Sequence, residues 1–240
     1  MRLLIDAGNT RIKWALAEGS HWLRSGVIET GTPQALAQQL AGLANVQEIC
    51  ASNVAGEAVA REICALKLGP HGAPKFLLAT ASCAGVHNAY ARPAQLGSDR
   101  WAALIAAWRI AQRACLVVNA GTATTIDSLR ADGTFVGGLI LPGIVLMQRS
   151  LTDQTQLSVE SGRYAEFPDN TADALFSGAI QATCGAIARQ HDLLEEADAP
   201  VLLSGGAATL LRPHLQLPVR LVDNLVLQGL SLIATEKVER

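Results

Sequence analysis

The sequence has little charge, few aromatic residues and no long apolar run, and each shortage excludes a class of protein. Only 17% of the 240 residues are charged, 4% are aromatic, and the formal net charge is −2. Because no run of lysines and arginines is present, we expect neither nucleic acid nor an anionic membrane surface as a main partner. No apolar stretch reaches the roughly 20 residues that span a bilayer, so we expect no membrane segment.

Cysteine is scarce as well, and its spacing points to a reducing compartment. The five cysteines include no Cys-x-x-Cys pair, and they are Cys50, Cys64, Cys83, Cys115 and Cys184. We interpret them as small buried hydrophobic residues rather than as disulfides or metal ligands. The first apolar run ends at Asp6 after three residues, which is too short for a secretory signal. The sequence therefore predicts a cytoplasmic protein.

What the sequence does contain is one pattern of strands and turns that occurs twice. A strand, a turn and a second strand begin at Leu3, and the same order begins again at Cys115. Helices are expected after each set, the first of them with Thr32 as its N-cap. This internal repeat predicts an α/β protein with two related lobes, residues 1–114 and 115–240, and a ligand cleft between them.

The first turn follows the first strand and reads Asp6-Ala7-Gly8-Asn9-Thr10. Glycine permits a close approach of the backbone to a phosphate, and a carboxylate at a strand end can hold a hydrated Mg²⁺. Lys13 lies on the following strand and can reach terminal phosphates as a point charge. Taken alone, an ordinary hairpin turn with a solvated lysine explains the same residues equally well.

Two further turns have the composition of nucleotide-binding segments. They are Gly121-Thr122-Ala123-Thr124-Thr125, at the matching place of the second half, and Ser204-Gly205-Gly206-Ala207-Ala208, after the last strand. Paired glycines let a backbone lie against a flat ring, although a strand-to-helix turn also needs small residues. Two phosphate-type turns at equivalent positions indicate that the phosphates of one nucleotide are held between them. The sequence has no Gly-x-x-x-x-Gly-Lys-Ser/Thr loop, which excludes a P-loop kinase.

The most specific segment lies between the two sets of strands. It contains Asn88-Ala89-Tyr90, then Pro93, then Leu96-Gly97-Ser98-Asp99-Arg100-Trp101. On the physics of a helix start alone, an N-cap is the better explanation of Ser98 or Asp99. The whole segment, however, resembles the Tyr-x-x-Pro…Gly-x-Asp-Arg signature of type III pantothenate kinases. The three turns resemble the phosphate-1, phosphate-2 and adenosine motifs of the actin-like ATPase and sugar-kinase superfamily.

This resemblance implies a fold, a reaction and a set of partners. The fold would be two actin-like (ribonuclease H-like) lobes with mixed sheets and a nucleotide cleft between them. The reaction would be the ATP-dependent phosphorylation of pantothenate to 4′-phosphopantothenate, the first step of coenzyme A biosynthesis. The protein would be a homodimer, and the sequence itself offers apolar faces for one, such as Leu225, Leu227, Leu230 and Leu232. Two alternatives stay open: a kinase for another small hydroxylated substrate, and a regulatory ATP-binding protein like the accessory-factor branch of the family.

The resemblance also assigns roles in substrate binding. Asp99 would be the catalytic base that takes the proton of the substrate hydroxyl, and Arg100 would hold the substrate carboxylate or the substrate loop. Thr171 would reach the pantothenate of a neighbouring subunit, although a helix N-cap explains the pair Asn170-Thr171 nearly as well. The implied substrate-binding residues are Tyr90, Gly97, Ser98, Asp99, Arg100 and Thr171.

Nucleotide and cation binding are assigned in the same way. The implied ATP-binding residues are Asp6, Ala7, Gly8, Asn9, Thr10, Arg11, Ile12, Lys13, Thr122, Gly205 and Gly206. Asp6 would also organise Mg²⁺. Many members carry an aspartate where this chain has Asn119, whose amide oxygen can ligate K⁺ or NH₄⁺ but supplies no charge. A monovalent-cation site at Asn119 is therefore an open expectation.

Overall fold

The computed structural model of the chain describes residues 1–19, 21–70, 72–152 and 162–236. The chain divides into two compact units. The first consists of Met1–Ile110 together with the segment from Asn224 onwards, and the second is Ala111–Asp223.

The first unit is built on a five-stranded mixed sheet. Its strands are β1 (Arg2–Ala7), β2 (Arg11–Glu18), β3 (His21–Glu29), β4 (Glu48–Asn53) and β5 (Lys75–Phe76). They lie in the order β3-β2-β1-β4-β5, with β1 antiparallel to β2 and parallel to β4. Because β1 lies in the middle of the sheet with helices on both faces, its run Leu3-Leu4-Ile5 is fully buried.

Four helices belong to this unit. They are α1 (Ala35–Gln39), α2 (Glu57–Cys64), α3 (Ser98–Ala111) and α7 (Leu225–Glu236). The apolar faces of α1 and α2 share one core with β1, whereas α7 packs on β1, β2 and β4. The predicted N-cap at Thr32 is wrong, since α1 begins at Ala35 after Gln34. The Thr32 carbonyl instead accepts the Ala35 amide in a turn that precedes the helix.

A short hairpin leads the chain from β5 to α3. It consists of β6 (Ser82–Cys83) and β7 (Val86–Asn88), and a single 3-10 turn at Pro93–Gln95 follows it. The hairpin turn uses Ala84 and Gly85, both in the left-handed region of backbone conformation. This hairpin, which the sequence pattern did not predict, delivers the chain directly into the segment around Tyr90.

The second unit repeats the plan of the first. Its strands are β8 (Cys115–Ala120), β9 (Ala123–Leu129), β10 (Thr134–Pro142), β11 (Val201–Ser204) and β12 (Val219–Leu221), and its helices are α4 (Ile144–Thr152), α5 (Thr171–Asp192) and α6 (Ala208–Leu211). The strands lie in the order β12-β11-β8-β9-β10, with β8 antiparallel to β9 and parallel to β11. Strand for strand, this is the order of the first unit, so the predicted internal repeat is present in the topology.

The closing helix α7 belongs to the first unit, whereas the predicted lobes assigned it to the second half. A Cβ on Gly229 would lie 2.9 Å from the Cα of Ala102, so α7 and α3 cross in close contact. Leu225, Leu227 and Leu230 are at most 2% exposed, and the prediction that they form a dimer surface is therefore wrong. The boundary at residues 114 and 115 otherwise stays a prediction. None of the described helices is long and apolar enough to cross a membrane.

Candidate active site

The turn between β1 and β2 is a tight hairpin that presents polar side chains. The Gly8 amide donates to the Arg11 carbonyl (N···O 3.1 Å). From the end of β3, the Thr30 hydroxyl donates to the Gly8 carbonyl at 2.6 Å. Asn9 and Thr10, at the tip, are exposed. The hairpin is thus held in shape from its own backbone and from a neighbouring strand, while the side chains at its tip face solvent.

Three predicted ATP contacts are restricted by this geometry. Ala7 and Ile12 are fully buried in the apolar core of the first unit, so only their backbone groups can reach a ligand. The Gly8 amide already donates to the Arg11 carbonyl, so it does not serve as a phosphate donor in this conformation. The lack of a side chain at Gly8 still matters for the turn. A Cβ there would lie 3.3 Å from the Arg11 carbonyl oxygen, which is closer than an ordinary van der Waals contact.

Asp6 lies at the end of β1 in an unfavourable electrostatic position for a carboxylate. Lys13 is its direct neighbour across β2 and Ser52 its neighbour across β4. Burial and the nearby charge of Asp99 raise the pKa of Asp6 to about 7, and the Lys13 charge only partly offsets them. A group in this position gains from a bound cation, which restores the ionised form.

The chemistry of the donor set fits Mg²⁺ better than a metal held by protein ligands alone. Among the described residues, no cluster of three or more His, Cys, Asp or Glu side chains is present. Mg²⁺ commonly takes one or two carboxylates and completes its shell with phosphate oxygens and water. Asp6, with Asp99 nearby, matches that pattern.

The segment after β7 brings Tyr90 and Arg100 together. An Arg100 guanidinium nitrogen donates to the Tyr90 hydroxyl at 3.3 Å, and the guanidinium carbon lies 5.9 Å from the centre of the Tyr90 ring. Asn88, which is 8% exposed, shapes the intervening loop. Its side chain accepts the Tyr90 amide at 3.1 Å and donates to the Pro93 carbonyl at 3.2 Å.

The start of α3 places Asp99 in a conformation that only a glycine at position 97 allows. The Gly97 carbonyl accepts the amide of Trp101 at 2.9 Å, the first bond of the helix. A Cβ on Gly97 would lie 2.6 Å from an Asp99 carboxylate oxygen. The same oxygen accepts the Arg100 amide at 2.8 Å. Any larger residue at position 97 would therefore displace the Asp99 carboxylate.

This geometry excludes the N-cap alternative for Ser98 and Asp99. Both residues lie inside α3, so neither occupies the cap position. The Ser98 hydroxyl instead lies 2.8 Å from the hydroxyl of Ser52 in β4, and both residues are buried. The Ser98 side chain is therefore directed into the unit, so the predicted substrate contact there can come only from its backbone.

In the second unit, the turn with the paired glycines contacts the residue that precedes the Gly121 turn. Gly205 has a φ of +100° and lies so close to Ala120 that a Cβ would be 2.6 Å from the Ala120 carbonyl carbon. The Ala120 carbonyl accepts the Ala207 amide at 3.0 Å. Because Gly121 follows Ala120, the paired glycines lie beside the start of the Gly121 turn. Gly206 is exposed.

A further glycine, Gly143, lies against the Gly121 turn and holds its backbone. The Gly143 amide donates to the Thr122 carbonyl at 2.8 Å. A Cβ on Gly143 would collide with the Gly121 carbonyl and lie 2.6 Å from the Thr122 carbonyl oxygen. The Thr122 side chain is exposed. Thr122 is thus presented to solvent on a turn whose backbone is fixed by Gly143 at the start of α4.

Polar residues accompany these turns on β8 and β9. Asn119 is half-buried and lies in register between Thr125 of β9 and Ser204 of β11. Asp127 is buried further along β9. The Thr124 hydroxyl is buried without a hydrogen-bond partner among the described residues. The predicted cation ligand Asn119 therefore has oxygen-bearing neighbours in the sheet.

The start of α5 shows which of the two residues, Asn170 or Thr171, serves as the helix N-cap. Asn170 is the N-cap, and its side chain accepts the Asp173 amide at 3.0 Å. Thr171 is the first residue of the helix, and its side chain is exposed. The cap therefore accounts for Asn170 but leaves Thr171 available for a ligand.

Comparison with models of known protein families shows the family to which this chain belongs. Residues 2–192 match the model of a family described as type III pantothenate kinase. The chain belongs to the type III pantothenate kinase family. It is 46% identical to a type III pantothenate kinase of Nitrosospira multiformis, over 99% of this chain and 92% of that protein. It is 48% identical to another of Aromatoleum aromaticum, over 98% of each.

Solved structures support the fold of this pantothenate kinase family member. A Campylobacter jejuni protein, described as a Baf family transcriptional activator, aligns with a TM-score of 0.62 and 23% identity over 99% of this chain and all of that one. A Sinorhizobium meliloti protein, described as a 2-dehydro-3-deoxygalactonokinase, aligns with a TM-score of 0.61 and 16% identity over 98% of this chain and 96% of that one. At these identities the likeness concerns the fold alone. It confirms the predicted actin-like α/β class with mixed sheets.

Sequence reasoning missed several residues that shape the site of this family member. Ser52, Thr30 and Gly143 were not singled out, and Asn88 was noted without a role. Each acts on a predicted residue that is distant in sequence, or through the backbone of a loop. No periodicity or local motif reports such contacts, although the small size of Gly143 before a helix was a usable signal.

Proposed function

We propose that this protein transfers the γ-phosphoryl group of ATP to the 4′-hydroxyl of pantothenate, the first step of coenzyme A biosynthesis. Family membership supports a kinase, and one cluster in the first unit supports the assignment of its acceptor site. That cluster is the buried Arg100 held on Tyr90, next in the chain to Asp99. It combines the Arg100 guanidinium, which can bind the carboxylate of the substrate, with the Asp99 carboxylate, which can accept the proton of the substrate hydroxyl.

Asp99 acts as the base in this proposal. The substrate oxygen bonds to the γ-phosphorus, the bond from phosphorus to the β–γ bridging oxygen breaks, and the hydroxyl proton passes to Asp99. An ordinary aspartate is a weak base, but phosphoryl transfer has a loose transition state in which positioning contributes most of the rate. Gly97 serves the same end, because it permits the observed orientation of the Asp99 carboxylate.

Arg100 and Tyr90 bind the substrate as one unit. Arg100 is only 8% exposed, and its planar guanidinium can pair with a carboxylate through two parallel hydrogen bonds. The Tyr90 hydroxyl orients this guanidinium through the observed hydrogen bond. Of the two roles predicted for Arg100, the structure thus supports both the loop contact and the carboxylate contact. Thr171, at the exposed start of α5, is proposed to contact the pantothenate of a neighbouring subunit.

Nucleotide-binding residues are proposed in each unit. Asn9, Thr10, Arg11 and Lys13 hold phosphates from the β1–β2 hairpin, and Thr122 holds them from its own turn. Gly205 and Gly206 provide a flat backbone surface for the adenosine. Mg²⁺ on Asp6 would neutralise charge on the β- and γ-phosphates when bound.

A monovalent cation is proposed near Asn119, with a weaker requirement than an aspartate would impose. The amide oxygen is a ligand for K⁺ or NH₄⁺, but it supplies no negative charge. We therefore expect a modest stimulation by K⁺ over Na⁺.

We further propose a cytoplasmic homodimer. All five cysteines are free thiols, which fits a reducing compartment. In the second unit, Ile140, Val145 and Phe167 are 65%, 61% and 92% exposed. Large exposed apolar side chains often mark surfaces that bind another protein. They replace the leucines of α7 as the proposed dimer surface.

The test is phosphate transfer from MgATP to pantothenate by the wild type and by Asp99→Asn, with K⁺, NH₄⁺ and Na⁺ compared. We expect 4′-phosphopantothenate from the wild type and a loss of about 100-fold or more in kcat for Asp99→Asn, since a general base contributes about that much. Unfolding transitions of both proteins verify that the variant is folded.

Asp132→Asn provides the matched control, because Asp132 lies in the β9–β10 turn, where it accepts the Thr134 amide. Its kcat should equal that of the wild type. A wild type that is inactive on pantothenate with every cation would contradict the proposal. Transfer to another hydroxylated acid would then indicate a different acceptor, and ATP binding without transfer would indicate a regulatory protein.

A further inference from the structure

A buried contact between two serines stands out because neither hydroxyl is required by the elements that carry it. Ser52 is fully buried in β4, beside the apolar Ala51, and Ser98 is 8% exposed at the start of α3. Their hydroxyl oxygens are 2.8 Å apart. A buried hydroxyl is costly unless it is hydrogen-bonded, and here each serine satisfies the other.

The position of this pair relates it to the reacting groups. Ser52 lies in register beside Asp6, with Lys13 on the other side of Asp6. Ser98 immediately precedes Asp99. The hydrogen bond thus joins the strand next to Asp6 to the first residue of the helix that carries Asp99, although the two serines are 46 residues apart in the chain.

The contacts of Asp99 itself do not provide this connection. Its carboxylate accepts the Arg100 amide, which is part of the same helix start and moves with it. Gly97 precedes the helix and imposes little constraint on the backbone. Trp101 anchors the helix further along through its full burial. The Ser52–Ser98 hydrogen bond acts nearer to Asp99 and ties the first turn to the sheet.

We propose that Ser52 is a positioning residue, whose hydrogen bond to Ser98 fixes the first turn of α3 and with it the distance between the Asp99 and Asp6 carboxylates. The inference rests on the proposed function, in which Asp99 receives the substrate proton. Small displacements of a reacting group lower the rate of a chemical step strongly, while ground-state binding of the substrates changes less.

The test is a double-mutant cycle with Ser52→Ala, Ser98→Ala and the double variant, measuring kcat and both KM values. We expect each single variant to lose about tenfold in kcat, with both KM values within about twofold of wild type. The double variant should lose no more than either single variant, because the two side chains act through one bond. Its stability should be near that of the wild type, since no unpaired hydroxyl is left.

A second readout needs no turnover. Amide hydrogen exchange of residues 98–104 without substrates should be faster in Ser52→Ala than in the wild type. The control is Ser128→Ala, which removes a buried hydroxyl that bonds to Gln190 in the second unit. It should change neither kcat nor exchange at the start of α3.

Three results would overturn the inference: unchanged kcat in Ser52→Ala, additive losses in the double variant, or unchanged exchange at residues 98–104. Failure of the proposed function has a different signature, because the wild type would then form no 4′-phosphopantothenate. In that case the exchange comparison alone decides whether Ser52 fixes the start of the helix.

Discussion

Asp6 illustrates, at the scale of single residues, how a candidate binding residue can lower the stability of the fold when it is ionised. Its carboxylate lies at the end of a buried strand, where burial and Asp99 oppose ionisation. Lys13 offsets only part of this cost. A residue that destabilises the free protein when charged, and that gains from a cation, is characteristic of a ligand site rather than of a structural ion pair.

The stability of the protein without Mg²⁺ should therefore depend on pH through Asp6. Burial raises the pKa of Asp6 from its ordinary 3.8 to about 7, so the native state holds this proton more tightly than the unfolded state. The resulting stabilisation is complete below about pH 4 and is lost as the pH rises through about 7. We expect Asp6→Asn to be more stable than wild type at pH 8, by at most about 4 kcal/mol, with the difference shrinking towards pH 4. Urea unfolding at several pH values measures it.

Asp132 provides a control, because its contribution to stability should depend on pH in the opposite direction. The Thr134 amide bonded to its carboxylate lowers the pKa of Asp132, so its contribution is present at neutral pH and lost in acid. Asp132→Asn should therefore be less stable than wild type at pH 8 and approach it at low pH. A stability difference for Asp6→Asn that is independent of pH would contradict the assignment.

Asn88 should act on substrate binding rather than on the nucleotide. Its side chain makes two hydrogen bonds that hold the Tyr90 loop, each worth about 1 kcal/mol. Asn88→Ala should raise the KM for pantothenate roughly tenfold, with the KM for ATP within about twofold. Initial rates with each substrate varied measure both.

The matched control for Asn88 is Gln39→Ala. Gln39 accepts the Trp14 indole N–H at 2.9 Å in the same unit, so this variant also loses a partly buried hydrogen bond. It should lower stability without changing either KM. Equal effects of Asn88→Ala on the two KM values would indicate a general structural role instead.

At the scale of elements, the turns of the second unit depend on glycines that permit close contact between segments. Gly205 of the β11–α6 turn lies against Ala120 at the end of β8, and Gly143 before α4 lies against the Gly121 turn. Each of these contacts joins segments that are distant in sequence. The backbone surface proposed for the nucleotide exists only because these positions lack a Cβ.

Gly205→Ala should accordingly be destabilising and should weaken ATP binding. The residue has a φ of +100°, and a Cβ would lie 2.7 Å from the Ala120 nitrogen. Backbone strain of this kind costs about 1–3 kcal/mol, before any displacement of the turn. Thermal unfolding and nucleotide titration measure the two effects.

Gly178→Ala is the comparison for that prediction, because Gly178 lies within α5 and no atom would be within 4 Å of its Cβ. Alanine in an open helical position is favourable by up to about 1 kcal/mol. The variant should be as stable as wild type or more so, with unchanged ATP affinity. A neutral Gly205→Ala would refute the account of this turn.

At the scale of the molecule, the two units repeat one topology while their exposed surfaces differ. The described part of β10 and α4 exposes Ile140 and Val145, which favours an interface there. We expect the wild type to sediment at about twice the mass of one chain, and Ile140→Glu with Val145→Glu to sediment as a monomer. Sedimentation velocity across a range of concentrations measures this directly.

Leu78→Glu is the control for the dimer, since Leu78 is 73% exposed in the first unit and lies outside the proposed surface. It should leave the mass unchanged. A monomeric wild type, or a dimer that survives both substitutions on β10 and α4, would contradict the proposed interface.

The sequence by itself determined the repeated α/β plan and indicated the candidate site residues. Strand, turn and glycine signals are local, and the segment from Tyr90 to Arg100 is contiguous, so short-range patterns were sufficient. The resemblance to type III pantothenate kinases implied Asp99 as the reacting group, and the carboxylate at a strand end indicated Asp6 as the metal-binding group; both assignments stay predictions.

Only the tertiary structure decided which side chains of those motifs face a ligand and what supports them. Ala7 and Ile12 belong to the core, and the hydroxyl of Ser98 bonds to Ser52 rather than capping a helix. The closing helix belongs to the first unit, where Gly229 lies against α3. These outcomes depend on contacts between residues that are far apart in the chain, and such contacts leave no periodic trace in the sequence.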